Sequence, residues 1–207
     1  MKSKLIVLLS VFTLVIAGNN NAQQVKSSSL FDKQDENWVC IINNKQIAPK
    51  EVFKFADGVM KISGVSNGYI RTKRKYSNYV LSLEWRWTKK LGNSGVLVHI
   101  QPKDTIWPIC YQVQQKAEAA GDIICMNGLK AKECSDTVKF TVKKMLTSNE
   151  KLLGDWNSMK VVCRKNTMKV FINGVLQNSI SEMNVKKGYI GFQNEGTEME
   201  FRELKIK

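Results

Sequence analysis

Tyr79-Val80-Leu81-Ser82-Leu83-Glu84-Trp85-Arg86-Trp87 is the segment that decides the fold class, because large apolar residues occupy every second position. Side chains of a β-strand alternate between its two faces, so one face of this segment is apolar and the other carries Ser82, Glu84 and Arg86. The pattern predicts a long strand that buries one face in a core. The apolar set comprises Tyr79, Leu81, Leu83, Trp85 and Trp87.

The same period of two recurs in short segments along the chain, and no stretch keeps a helical period. We predict strands at residues 52–55, 59–63, 79–87, 95–101, 111–114, 157–164, 167–172, 175–180, 189–194 and 199–206. Asn173-Gly174 is a strong hairpin signal because both residues tolerate positive φ, so residues 157–180 should form a three-stranded meander. Strands of this number and spacing favour an all-β, two-layer sandwich over a small barrel. Residues 116–149 break the pattern and read as a long excursion over one face.

The N-terminus has the pattern of a secretory signal peptide. Lys2 and Lys4 precede an apolar run from Leu5 to Ala17, which is shorter than the roughly 20 residues that a membrane-spanning helix needs. We predict cleavage after Ala22, with Ala17 as the alternative. Residues 1–22 would then be the signal peptide and residues 23–207 a single β-sandwich domain, periplasmic or secreted and not embedded in a membrane.

The formal net charge of +14 requires nucleic-acid binding to be weighed. The cations are dispersed in short runs beside predicted strands, among them Lys73-Arg74-Lys75 and Lys186-Lys187, without a recognition helix or an RNA-binding signature. We therefore exclude nucleic acid as a partner. Solvated basic strand ends are the main interpretation, and an acidic polysaccharide or an anionic membrane surface is the alternative.

The chain has five cysteines, all in the part predicted to be exported, where disulfides can form. Their spacing lacks the paired C-x-x-C motifs of a zinc site. Cys163 alternates with apolar residues and is predicted to be buried. Cys125 and Cys134 bracket a loop that a disulfide between them would close. The other two are Cys40 and Cys110.

Two further strands carry polar side chains on one face. Alternation places His99 on one face of the strand at residues 95–101, and Gln112 and Gln114 on one face of the strand at residues 111–114. If these strands neighbour the Glu84 strand, their polar groups share a sheet face with Glu84 and Arg86. Such a face suits a sugar, which needs many fixed donors and acceptors together with aromatic surface. The aromatic candidates are Trp107, Trp87 and Tyr69. Taken alone, Glu84 and Arg86 are better explained as a surface ion pair.

From Leu30 to the C-terminus the chain resembles the 3-keto-disaccharide hydrolase family, whose fold is a concanavalin-like β-sandwich, or jelly roll. The number, order and spacing of the matching pieces carry the resemblance. They include Phe55-Ala56-Asp57-Gly58-Val59-Met60, Leu83-Glu84-Trp85-Arg86, Gly92-Asn93-Ser94-Gly95-Val96, Gly188-Tyr189-Ile190-Gly191-Phe192-Gln193 and Glu200-Phe201-Arg202.

The resemblance implies an exported enzyme that cleaves glycosides already oxidised to a ketone at C3, beside a separate sugar 3-dehydrogenase that installs the ketone. Such an enzyme needs a base, a group that stabilises the enolate, and polar contacts to the ring. We assign Glu84 and His99 as candidate bases and Arg86 as the enolate-stabilising candidate. The candidate substrate contacts are Asn93, Ser94, Gln112, Gln114, Gln193 and Trp107. No cofactor is established, and a divalent metal ion is left open because one histidine and scattered carboxylates do not define a site.

One departure from the family's pattern concerns Gln112-Val113-Gln114, where family members commonly have Glu-Val-Gln. Three interpretations stay open: Glu84 or His99 suffices for catalysis, the specificity differs, or this chain is a non-catalytic, lectin-like carbohydrate-binding module. For His99, a hydrogen-bonded structural role is an equally good interpretation.

Overall fold

A computed structural model describes residues 37–134 and 140–207. The predicted signal peptide lies outside these residues. The chain forms β1 (Trp38–Ile42), α1 (Pro49–Val52), β2 (Phe53–Ala56), β3 (Val59–Ile62), β4 (Gly68–Thr72), β5 (Tyr79–Trp87), β6 (Gly95–Ile100), β7 (Tyr111–Gln114), β8 (Ile123–Cys125), β9 (Thr141–Val142), β10 (Asn157–Arg164), β11 (Thr167–Ile172), β12 (Val175–Ile180), β13 (Tyr189–Asn194) and β14 (Met199–Ile206).

These strands build two seven-stranded antiparallel sheets that pack face to face, which confirms the predicted two-layer jelly roll. The front sheet has the order β1-β4-β13-β6-β7-β8-β9, and the back sheet has the order β12-β11-β10-β5-β14-β3-β2. The predicted meander is β10-β11-β12 at one side of the back sheet, and its second turn has the expected positive φ at Asn173 (49°) and Gly174 (81°).

The core lies between the sheets and is filled by the inner face of each strand. The predicted apolar face of β5 is buried throughout, with Trp85 at 0% and Leu83 at 2% exposure. Phe192 of the front sheet and Phe201 of the back sheet have their ring centroids 4.9 Å apart, so an aromatic contact joins the two layers. Replacing a buried tryptophan such as Trp85 by alanine typically costs about 3–5 kcal/mol.

The segment after β7 is less irregular than its sequence suggests. β8 and β9 extend the front sheet, and a 3₁₀ turn at Met126–Gly128 follows β8. Within the described residues no helix is both long and apolar enough to cross a membrane.

Candidate functional site

Three glutamines meet on the outer face of the front sheet, the face that points away from the core. Gln112 Nε2 donates to Gln114 Oε1 at 3.0 Å and to Gln193 Oε1 at 3.2 Å. Gln112 and Gln114 belong to β7, whereas Gln193 belongs to β13, two strands away. All three side chains are buried. We call Gln112, Gln114 and Gln193 the amide floor.

Gly95 makes this arrangement sterically feasible. It lies on β6, between β7 and β13, and is paired with Gln114. A Cβ atom at Gly95 would be 2.6 Å from Cγ of Gln112, which is closer than two carbon atoms can approach. The absence of a side chain therefore lets Gln112 reach across β6 to Gln193.

Gln114 is fixed in orientation by its carbonyl group. Its Oε1 accepts hydrogen bonds from Gln112 Nε2 and from the backbone N–H groups of Gln115 (3.2 Å) and Lys116 (3.3 Å). Ser94 holds the neighbouring strand, because its hydroxyl donates to the carbonyl oxygen of Gln193 at 2.7 Å. These bonds make the floor a rigid set of amide groups.

A carboxylate stands at the rim of the amide floor. Glu195 follows β13 directly and is half-buried, and its side chain is hydrogen-bonded to Asn93. Burial raises the pKa of the Glu195 carboxyl above its ordinary value, against the opposing effects of the Asn93 hydrogen bond and of the positive charge on Lys116. A desolvated carboxylate beside fixed amides has the properties of a general base.

Asn93 also offers an unused acceptor. Its Oδ1 is buried and has no hydrogen-bond partner among the described residues. Because buried polar atoms are almost always paired, this oxygen is suited to accept a hydrogen bond from a bound hydroxyl group. We call Asn93, Lys116 and Glu195 the rim of the site.

The outer face changes character toward the other end of the front sheet. Arg71 forms a two-bond ion pair with Asp104, at 2.8 Å from Nε and 2.6 Å from Nη2, and its guanidinium lies 4.1 Å from the ring centroid of Tyr189. Tyr69 is fully buried and donates to Asp104 at 3.2 Å. The Arg71 guanidinium lowers the pKa of Asp104, so this carboxylate is occupied in holding the loop after β6.

Trp107 belongs to that loop and is 41% exposed. Its backbone oxygen accepts hydrogen bonds from Thr105 Oγ1 at 2.8 Å and from Asn127 Nδ2 at 2.7 Å, so the loop presents the ring to solvent. No contact joins Trp107 to the amide floor in the described residues, whereas the other predicted substrate contacts, Asn93, Ser94, Gln112, Gln114 and Gln193, do come together.

The predicted neighbourhood of Glu84 and Arg86 is wrong. Both lie on β5 of the back sheet and point outward on the opposite side of the molecule from the amide floor. Glu84 accepts from Arg202 Nε at 2.6 Å, and Arg86 binds Glu200 at 2.8 and 2.9 Å. Both guanidiniums lie over the ring of Trp156, at 4.5 Å for Arg86 and 4.1 Å for Arg202. The catalytic roles predicted for Glu84 and Arg86 stay predictions, and these cross-strand contacts favour structural roles.

The predicted face of His99 is also wrong, because β6 contains a bulge. Leu97 pairs with Gly191 and Ile100 pairs with Tyr189, so β6 has one more residue than β13 over this stretch, and His99 has a φ of 54°. The bulge interrupts the alternation and turns the imidazole toward the core.

In the core, the imidazole of His99 packs against the rings of Tyr79 (5.7 Å) and Tyr111 (6.2 Å) and is 1% exposed. Its Nδ1 lies 3.2 Å from the carbonyl oxygen of Val185. Burial lowers the pKa of His99 to about 4, so the ring is neutral near pH 7. The catalytic role predicted for His99 stays a prediction, and its surroundings favour the structural interpretation.

Glu195 and Lys116 were missed in the sequence because neither belongs to a strand. A usable signal exists, since Glu195 comes only two residues after Gln193, one of the predicted substrate contacts. Among residues 37–134 and 140–207, no three His, Cys, Asp or Glu side chains cluster as a metal site would require.

Solved structures of similar fold come from carbohydrate-related proteins. Two crystal structures described as candidate glycosyl hydrolases from Parabacteroides distasonis have TM-scores of 0.60 and 0.58 and are 22% and 21% identical to this chain. Each match covers 82% of this chain, and 98% and 87% of theirs. The carbohydrate-binding module CBM66 from Bacillus subtilis has a TM-score of 0.57 at 9% identity, covering 82% of this chain and 94% of its own.

A comparison with curated proteins gives no match. The family model of the 3-keto-alpha-glucoside-1,2-lyase-like domain matches residues 26–207, nearly the whole chain, which confirms the resemblance found in the sequence. This chain belongs to the 3-keto-alpha-glucoside-1,2-lyase-like domain family, the 3-keto-disaccharide hydrolases.

Proposed function

We propose that this protein cleaves 3-keto-glycosides at the outer face of the front sheet, with Glu195 as the base. Membership of the family and the glycanase-like fold support a carbohydrate-active function. The observation that carries the finer proposal is the half-buried Glu195 carboxylate, with its raised pKa, at the rim of a floor of fixed amides.

The chemistry follows from the ketone. A carbonyl at C3 acidifies the proton on C2, so that a carboxylate can remove it and leave an enolate. The electron pair of the C2–H bond then forms a C1–C2 double bond as the C1–O bond breaks, and the aglycone departs with a proton that the Glu195 carboxyl returns. Water adds across the double bond, its oxygen to C1 and a proton to C2, and gives the free 3-keto sugar.

The residues of the site divide these tasks. Glu195 takes the C2 proton, and its hydrogen bond to Asn93 fixes the orientation of the carboxylate. Lys116 supplies positive charge for the developing enolate oxygen. Gln114, whose carbonyl is already held by three donors, contributes its amide N–H groups to the sugar ring, and Asn93 Oδ1 accepts from a ring hydroxyl.

A lectin-like module is the second candidate. The similarity in fold to the CBM66 module and the amide at position 112, where the family commonly has a carboxylate, both favour it. An enzyme releases product at catalytic concentration, whereas a module binds the oligosaccharide and leaves it intact, so turnover separates the two.

The proposal includes the setting of the reaction. The signal-like N-terminus supports export to the periplasm or beyond. The ketone must be installed before cleavage, which requires a separate dehydrogenase that oxidises C3 of a glycoside.

The decisive experiment uses a 3-keto disaccharide that carries deuterium at C2. Elimination predicts a primary isotope effect when chemistry limits the rate, and cleavage in heavy water should place solvent deuterium at C2 of the released 3-keto sugar. The unoxidised disaccharide is the control and should remain intact. Cleavage that leaves C2 untouched, after correction for non-enzymatic exchange, would mean direct displacement at C1 and would reject the mechanism.

A further inference from the structure

Two basic runs that are far apart in the sequence meet at one end of the sandwich. Lys73-Arg74-Lys75 lies in the loop between β4 and β5, and Lys186-Lys187 lies in the loop before β13. Tyr76 and Gly188 join the two loops by a pair of backbone hydrogen bonds of 2.8 and 3.1 Å. The fold therefore brings together basic residues that are dispersed along the sequence.

The hairpin between β10 and β11 adds cations to the same end. The backbone N–H of Lys165 donates to Asn78 Oδ1 at 2.6 Å, which ties the hairpin to the loop before β5. Lys207 pairs with Val80 through backbone hydrogen bonds of 2.8 and 3.0 Å. A depression of about 490 Å³ has Arg164, Lys165 and Lys207 among its lining residues, together with Asn78.

One more contact closes the group, because the backbone N–H of Met183, in the loop before β13, donates to the carbonyl oxygen of Asn166 in the hairpin at 3.0 Å. We call the resulting surface the basic end. It comprises Lys73, Arg74, Lys75, Arg164, Lys165, Lys186, Lys187 and Lys207, which are all exposed.

Little negative charge offsets seven of these cations. Within the described residues, no side-chain carboxylate forms an ion pair with Arg74, Arg164, Lys186 or Lys187. The same holds for Lys75, Lys165 and Lys207. Asp104 is engaged by Arg71 at 2.6 Å, and Glu182 lies 3.9 Å from Lys132. These seven cations, which no carboxylate of the described residues pairs, raise the local concentration of polyanions.

Aromatic rings accompany the charges. Arg74 lies 5.7 Å from the ring centroid of Tyr76, and Lys75 lies 5.1 Å from that of Tyr189. Tyr189 is on the outer face of the front sheet, four residues before Gln193 on the same strand, or roughly 13 Å at the rise of a β-strand. The basic end therefore continues into the face that carries the amide floor.

We propose that the basic end binds an acidic polysaccharide, whose carboxylate or sulfate groups pair with the cations while its rings contact Tyr76 and Tyr189. Sugar chains expose both anionic groups and apolar ring faces, which matches cations interleaved with aromatic rings. A membrane surface is a poorer fit, because none of the large apolar side chains exposed in the described residues belongs to the segments that carry these cations. The site is separate from the proposed catalytic rim.

The test measures binding of the purified protein to polygalacturonate, with dextran of similar length as the neutral control. Lys186→Ala/Lys187→Ala and Arg164→Ala/Lys207→Ala remove charge from two segments of the basic end. Lys45→Ala/Lys50→Ala is the matched control, since it removes the same charge from exposed positions outside it. Each basic-end pair should weaken binding about tenfold, because two charge contacts of about 0.7 kcal/mol each amount to that factor.

Several results would overturn the proposal. If the protein bound dextran as tightly as polygalacturonate, the negative charge of the ligand would not contribute to binding. Equal affinity of the basic-end variants and the Lys45/Lys50 control would place binding elsewhere. Tighter binding to duplex DNA or to phosphatidylserine vesicles than to polygalacturonate would assign the surface to another partner. Expected instead are no dextran binding and a loss of polygalacturonate binding as NaCl is raised toward about 0.5 M, where charge screening is strong.

Discussion

Glu195→Gln is the substitution that tests the proposed site most directly. Glutamine keeps the shape of the side chain and can retain a hydrogen bond to Asn93, but it lacks the basic oxygen. If Glu195 removes the C2 proton, kcat for a 3-keto disaccharide should fall by about 10²-fold or more, the usual contribution of a general base. KM should change little, since the amide floor that holds the ring is untouched.

The raised pKa of Glu195 gives this variant a second signature. The folded protein holds the Glu195 proton more tightly than the unfolded chain does, so this group's contribution to stability is present at acidic pH and is lost as pH rises through the raised pKa. An amide has no such cost at neutral pH. Glu195→Gln should therefore be more stable than the wild type at neutral pH. Because the carboxyl is only half-buried, solvent screening limits this gain in stability to about 0–1 kcal/mol, or a Tm increase of roughly 0–4 °C.

The assay combines steady-state kinetics as a function of pH with thermal unfolding of the same samples. In the wild type, kcat/KM should rise with pH through the raised pKa of Glu195, and the variant should lose that limb. Glu203→Gln, on the back sheet, is the matched control and should keep full turnover. A fall in kcat of less than tenfold, or a retained pH limb, would remove Glu195 from the role of base.

Three other predictions concern the neighbouring elements. Gln112→Glu should destabilise the protein by about 1–3 kcal/mol at neutral pH and less at acidic pH, since it loses two donated hydrogen bonds and buries a charge. In the Glu195→Gln background, the same substitution should raise kcat at least tenfold, which kinetics of the double variant would show. Glu84→Gln should leave turnover within about twofold and lower stability by about 0–1 kcal/mol, measured by urea unfolding. The buried thiols of Cys125 and Cys134 are hydrogen-bonded to each other, so treatment with oxidised glutathione should join them in a disulfide and raise the stability of the protein by roughly 2–3 kcal/mol. The Cys134→Ser variant should show no such gain in stability. Mass spectrometry that finds both thiols still free after treatment would refute this.

The alternation of apolar and polar residues in the sequence predicted most of the fold, because it indicates directly which face of a strand is buried. β5 and the β10-β11-β12 meander have the bounds that the sequence predicted. β2 was displaced by one residue, since Pro49 begins a single helical turn that ends at Val52. Four strands were not predicted. β8 and β9 have three and two residues, which is too short to show a period. β1 and β4 have five residues each and do not alternate cleanly, because buried residues are adjacent in both.

Which sheet a strand joins is a property that alternation cannot report. β5 and β6 are consecutive in the chain, yet they belong to opposite layers. Gln112 lies on β7, the neighbour of β6, so Glu84 and Gln112 point away from each other on opposite sides of the molecule. The predicted face of His99 was wrong for a local reason, because a single extra residue in β6 reverses the face of every residue after it until the register is restored. The polar residues of β7 and β13 were grouped correctly, since both strands lie in one sheet.

The amide at position 112 and the carboxylate at position 195 can be understood together. Gln112 reaches across β6 to Gln193, and Glu195 follows Gln193 by two residues, so their Cα atoms are at most about 7 Å apart. A carboxylate at 112, the residue that the family resemblance leads one to expect, would therefore share a poorly solvated space with Glu195, and like charges at that range disfavour each other's ionisation. One ionised carboxylate is enough to take a C2 proton. An uncharged residue at 112 keeps Glu195 as the group that ionises. Glutamine in place of the family's usual glutamate at 112 is therefore compatible with catalysis if the base is Glu195, directly after β13.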